Sequence, residues 1–325
     1  MENPFVYGEV VPAAAFANRV VELERLVQDL ASGQKVFLIS PRRYGKSSLI
    51  RRALAVMSRR GAIPIEVTVS SFSSYVAFLE GYTRAIAATE TRPDRLRDWL
   101  GTAITSARAE IRYESSSSAS RTGSMAVSFP GVRSERDVSQ LAQEVFELPA
   151  RLAHARGRKV VVALDEFQAI LGFNGGSVEH TLRAAVQHQR DVAYVFAGSE
   201  PSLMEEMLTP KRPFYKAGPV MRLEKIPADE FAAFIDDRFS RSGLRPEPGL
   251  GAAIVDLASN LPYDVQRLAH ETWDGVRAAS RRRATLDDLH EALKRLLVEQ
   301  DILFEATWRR LTLAQRAVLR AVVIE

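Results

Sequence analysis

The sequence contains no cysteine. That excludes a disulfide framework, a thiolate nucleophile, and zinc or iron–sulfur centres held by cysteine. Long apolar runs are missing too: those around residues 160–164 fall far short of the roughly 20 residues a helix needs to span a bilayer. Acidic residues interrupt the N-terminal region, which has no apolar core of the kind a secretory signal requires. Charge is nearly balanced, 44 Lys+Arg against 40 Asp+Glu for a net +4, which permits nucleic-acid binding without arguing for it. The clusters Arg51-Arg52, Arg59-Arg60 and Arg281-Arg282-Arg283 are short, and cations at helix C-termini account for them. The five histidines show no metal-ligand spacing. The expectation is a cytoplasmic protein with no membrane partner.

What is present fits a folded chain: 46% apolar and 26% charged residues, with a length of about two domains. Apolar residues at helical spacing (Phe16, Val20, Leu23, Leu26, Val27, Leu30) predict a helix over 13–30. A short apolar strand over 35–40, a polar turn and a helix over 46–58 follow. A strand over 62–70 and helices over 74–88 and 93–111 come next. Residues 112–137 are serine-rich and predict a flexible insertion, with a short strand or hairpin arm at 125–129. After a helix over 138–155, residues 159–165 form the strongest buried-strand signal. Helix 178–189, strand 192–197, a helical stretch to Met207 and strand 220–223 complete this region. Strands alternating with helices predict an α/β three-layer sandwich on a parallel sheet. Beyond Pro227 the pattern is all helical, over 228–240, 250–259, 262–279, 285–299 and 314–324. Trp273 and Trp308 sit at apolar helical positions and predict core filling. The resulting division is a core over 1–225, a helical domain over 226–299 and a further, truncated domain over 300–325.

The chemistry concentrates between the first strand and the next helix. Ser40-Pro41-Arg42-Arg43-Tyr44-Gly45-Lys46-Ser47-Ser48 matches G-x-x-x-x-G-K-[ST], the phosphate-binding loop, except at its first position. Gly45 lets the backbone wrap so that N–H groups face phosphate oxygens. Lys46 would reach the β- and γ-phosphates of ATP and Ser47 would ligate Mg²⁺, while the helix N-terminus adds its positive end. Arg42 and Arg43 are candidates for contacting phosphates or a neighbouring subunit. Asp165 closes the strongest strand, placed to hold Mg²⁺ through water, and Glu166 beside it is placed to polarise an attacking water. Ser199 ends the next strand. It would sense the γ-phosphate, or serve as a plain turn serine.

These motifs, with their flanks, resemble the archaeal-type ATPases of the STAND group of P-loop NTPases, relatives of the AAA+ origin-recognition ATPases. The segment around Phe16-Ala-Asn-Arg19-Val-Val-Glu22 resembles the family's hhGRxxE box, with Asn18 in place of glycine; the resemblance implies that Arg19 lies near adenine. Leu164-Asp-Glu-Phe-Gln168 and Gly198-Ser199 continue the likeness. Pro213-Phe-Tyr-Lys216-Ala217 resembles the PLYGR stretch, with Lys216 and Ala217 departing from it. Asn260-Leu-Pro262-Tyr-Asp-Val-Gln266 resembles the GxPYxxQ element of the helical lid, with Asn260 in place of glycine, and implies that Pro262 approaches the nucleotide. The last segment resembles the start of a winged-helix domain.

The resemblance implies an ATP- and Mg²⁺-dependent ATPase, slow without a protein partner or self-assembly, that works as a nucleotide-driven switch. A DNA-associated ATPase and a non-hydrolysing ADP-binding scaffold are the alternatives.

Overall fold

The computed structural model describes residues 2–8, 19–90, 92–114, 124–173 and 177–324. The expected helix over 13–30 is seen from Val20 to Ala31 as α1; Phe16 and Asn18 lie outside the described residues. The chain forms two compact units. One spans Arg19–Glu224, and the other joins the described N-terminal residues to those from Lys225 onward.

The first unit is built on five parallel strands: β1 (Lys35–Ile39), β2 (Ile63–Thr68), β5 (Val160–Asp165), β6 (Val192–Gly198) and β7 (Val220–Arg222), in the order β2-β5-β6-β1-β7. β5 and β6 are buried along their whole length, which is why they read as continuous apolar runs rather than alternations. Helices α1 and α2 (Lys46–Arg59) contact the sheet from one side. On the other, α3 (Tyr75–Ala87), α5 (Glu135–Arg156) and α6 (Ser177–Val186) enclose an apolar cluster with Phe37, Val162, Leu164 and Phe196. Three layers result. Ile39 pairs with Gly198, and Leu164 with Phe196, so the ends of β1, β6 and β5 lie side by side.

Two expectations about the segment between β2 and β5 need correction. The helix predicted over 93–111 ends at Ala103, as α4 (Pro93–Ala103). Ile104 turns extended into the core, and the Glu144 carboxylate on α5 then takes four hydrogen bonds, from the N–H and hydroxyl groups of Thr105 and Ser106. These bonds pin the chain where the helix would have continued. The insertion predicted as flexible over 112–137 is ordered at both flanks. β3 (Glu110–Glu114) and β4 (Ser124–Ser128) form an antiparallel hairpin, which bears out the arm expected at 125–129, and α5 begins at Glu135 with a Ser134–Asp137 capping box. Val127 and Phe129 are buried in the core, which anchors the hairpin. The serine run lies outside the described residues.

The second unit packs α8 (Ala228–Arg241), α9 (Leu250–Leu257), α10 (Pro262–Ala278) and α11 (Leu286–Arg310) around Phe231, Phe239, Ile254, Val265 and Trp273. Phe5 from the N-terminal arm is 1% exposed in this cluster, its ring 4.8 Å from that of Phe239. The arm is held further by Asn3, which donates to the carbonyl of His270 and to Asp274. The sequence division places residues 1–18 with the core, whereas the described residues of the arm group with this unit. α11 runs 25 residues without a break at the expected boundary at 299, and α12 (Leu313–Ile324) follows. Trp273 fills the core and donates to Ser242 Oγ at 2.8 Å. Trp308 does not; it is half-buried, with the guanidinium groups of Arg316 and Arg320 over its ring. Among the described residues no helix is long and apolar enough to cross a membrane.

Candidate functional site

The loop over 41–45 leaves the end of β1 and enters α2. Gly45, the N-cap of α2, has φ +85°, a left-handed conformation that glycine adopts without steric cost. A side chain there would meet nothing within 4 Å, so conformation, not space, calls for glycine. Arg43 is the loop's other left-handed residue. Ser40 is not one, and its buried N–H donates to the Gly198 carbonyl at 3.2 Å. Serine in place of the motif's first glycine therefore strains nothing.

The adjacent strand ends bring the predicted residues together. The Lys46 ammonium is hydrogen-bonded to Asp165 Oδ1 and lies 3.3 Å from Glu166 Oε1. Ser47 Oγ donates to Asp165 Oδ2 at 2.7 Å. Ser199 Oγ donates to Glu166 Oε2 at 2.6 Å. Because β6 lies between β1 and β5, Ser199 enters this cluster from the end of the middle strand. Lys46 is 6% and Asp165 6% exposed. Burial raises the Glu166 carboxyl, but hydrogen bonds from Ser199 and Gln168 and the Lys46 charge outweigh it and hold it below the usual carboxylate range. An ionised carboxylate at this depth can take a proton from water or a cation's charge.

Other predicted residues are placed differently. Arg19 is buried, with its pKa lowered chiefly by that burial. It donates to Glu22 at 2.8 Å, to the Tyr44 carbonyl at 3.1 Å and to the Glu224 carbonyl at 2.7 Å, so it grips the loop from behind. Pro41, Arg42 and Arg43 are exposed, Tyr44 is half-buried and Ser48 is buried. Arg42 lies 3.8 Å from Glu200. Pro262 opens α10 in the helical unit.

Sequence reasoning gave no role to Gln168. Its side-chain amide donates to Glu166 Oε2 at 2.7 Å from the turn Phe167–Gly172. The available signal was a polar amide set in an apolar run two residues after the acidic pair. Two of the departures from the family pattern carry a physical signature as well. Lys216 and Asn260, which replace glycines of the PLYGR and GxPYxxQ elements, both adopt left-handed backbone, φ +52° and +53°.

Several solved structures share this fold. A Walker-type ATPase of Pyrococcus abyssi superposes with a TM-score of 0.61 at 16% identity, covering 93% of this chain and 78% of that one. The Aeropyrum pernix ORC1 protein, solved in complex with DNA, gives 0.59 at 15% identity, covering 100% and 78%. The Thermotoga maritima RuvB Holliday junction branch migration motor gives 0.51 at 13%, covering 87% and 71%. At these identities the likeness concerns the fold. No curated protein matches the sequence. A family described as an ATPase domain predominantly from Archaea matches residues 16–249, the sheet, the loop and the acidic pair included, and the chain belongs to that family of P-loop ATPases.

Proposed function

We propose that this ATPase is a Mg²⁺-dependent nucleotide switch, with ATP seated on residues 41–48. The observation that carries the reading is the cluster in which Lys46 and Ser47 face Asp165, Glu166 and Ser199. Lys46 is hydrogen-bonded to Asp165 and Glu166, and Ser47 to Asp165. A triphosphate needs the same ammonium, so binding exchanges one set of contacts for another. That difference between states is what a switch requires.

The donors suit Mg²⁺. Ser47 Oγ and Asp165 Oδ2 are two hard oxygens 2.7 Å apart, and no group of three His, Cys, Asp or Glu able to hold a metal exists among the described residues. Mg²⁺ keeps waters and shares phosphate oxygens rather than demanding a full protein cage. Ser47 would hold it directly and Asp165 through water. Bound there, it supplies neutralising charge to the phosphoryl oxygens. Lys46 binds the phosphates, Glu166 accepts the proton of the attacking water, and Ser199 orients Glu166. Arg19 fixes the loop through the Tyr44 carbonyl.

A DNA-associated ATPase is the second reading, permitted by the net charge of +4 and supported by structural neighbours solved with DNA or named for branch migration. Phosphate release from ATP, with and without Mg²⁺ and duplex DNA, tests both on wild type and Lys46→Ala. Turnover that needs Mg²⁺ and Lys46 and is indifferent to DNA supports a switch awaiting a protein partner. A rise with DNA moves the reading to the DNA-associated class. Turnover unchanged in Lys46→Ala overturns both.

A further inference from the structure

The geometry points to Gln168 as the positioning residue that fixes one oxygen of the Glu166 carboxylate, leaving the other to face the transferring phosphate and its water. This rests on the reading of Glu166 as the proton acceptor.

The two oxygens of Glu166 have different surroundings. Oε2 receives Ser199 Oγ at 2.6 Å and Gln168 Nε2 at 2.7 Å. Oε1 faces Lys46 at 3.3 Å. When Lys46 leaves for a phosphate, Oε1 loses its partner and Oε2 keeps both of its own. The carboxylate is then anchored at one end and open at the other, on the side Lys46 marks as the phosphate side. Glu166 also starts from a left-handed backbone, φ +53°, which for a glutamate is strained and needs its surroundings to hold it.

Gln168 is itself constrained. It is 5% exposed, and its amide has one workable orientation. Turned over, the amide would set Oε1 against Glu166 Oε2, two acceptors with no proton between them. In the orientation present, the buried Gln168 Oε1 accepts no hydrogen bond. An unmet buried acceptor is unfavourable, and a methionine of similar length would avoid it. What the amide contributes here is therefore its N–H. Gly198 makes the room: a β-carbon there would stand 2.7 Å from Gln168 Oε1 and 2.3 Å from Met204 Cγ.

The test uses the full chain. Gln168→Met keeps volume and removes the donor; Gln168→Asn keeps a neutral amide but shortens its reach to Glu166, and serves if the first variant does not fold. Losing one hydrogen bond to a charged, oriented group predicts a fall in kcat of about tenfold to a hundredfold, with KM and binding of a fluorescent ATP analogue unchanged within about twofold. Added to Glu166→Gln, the Gln168 change costs nothing more, since both act through one carboxylate. Turnover within twofold of wild type in Gln168→Met, or a further independent loss on top of Glu166→Gln, overturns the inference alone. Full turnover in Glu166→Gln overturns the reading of Glu166, and this inference with it.

Discussion

Replacing Lys46 by Met should destabilise the protein even in the absence of nucleotide. The Lys46 and Asp165 side chains are 6% and 9% exposed and Glu166 25%, so the ammonium is the cation that compensates two carboxylates sheltered from water. Methionine keeps most of the volume and removes the charge. Breaking a buried pair from one side typically costs 3–5 kcal/mol. The lower end applies here: Glu166 is partly solvated, and the bonds from Ser47, Ser199 and Gln168 remain. At about 3 kcal/mol, and 2–4 °C per kcal/mol for a unit of this size, the melting temperature falls by roughly 6–12 °C. Thermal unfolding of the nucleotide-free protein by circular dichroism reads the shift. Adding Asp165→Asn should recover more than half of it, because the second change removes the charge the first left stranded. High salt should not erase the difference, since sheltered pairs are weakly screened. A loss below about 1 kcal/mol, or losses that simply add in the double variant, would refute the reading of Lys46 as the counter-charge of two sheltered carboxylates.

Lys216→Gly should stabilise the protein by up to about 1 kcal/mol, because left-handed backbone disfavours a side chain by 1–2 kcal/mol and glycine's extra unfolded-state entropy returns only part of that; an unchanged or lower urea midpoint counts against the strain argument. Glu179, buried on α6, has its carboxyl pushed up by that burial against the opposing charge of Arg212. The folded state therefore holds this proton more tightly than the unfolded state, and stability from this group falls as pH rises above the ordinary carboxylate range. Glu179→Gln should flatten that part of the profile, measured as urea midpoints over roughly pH 4–7; an unchanged slope would assign it to other groups.

The parallel sheet was readable because its central strands are buried on both faces and carry no alternation to misread. The loop and the acidic pair were readable because their chemistry fixes residue type and spacing together. Contacts distant in sequence were not. Nothing near Ile104 announces that Glu144, forty residues on, will capture Thr105 and Ser106 and end a helix. Gln168 was visible as a letter but not as a partner, since its orientation depends on the space beside Gly198. Trp308 has the spacing of a core residue, yet spacing cannot say whether a second surface covers it.

The N-terminal arm sets an order of assembly. Asn3 and its partner His270 are 267 positions apart, and Phe5 fills a slot formed by residues near Phe239. On a ribosome adding 5–20 residues per second, the arm would wait on the order of 13–50 s before its site is synthesised. Throughout that interval Phe5 has no slot to fill, because the helices that form it, from Ala228 onward, are not yet made. The slot can therefore be sealed only after the intervening ATPase sheet has had time to fold, which makes the docking of this short arm a late step in the folding of the helical unit.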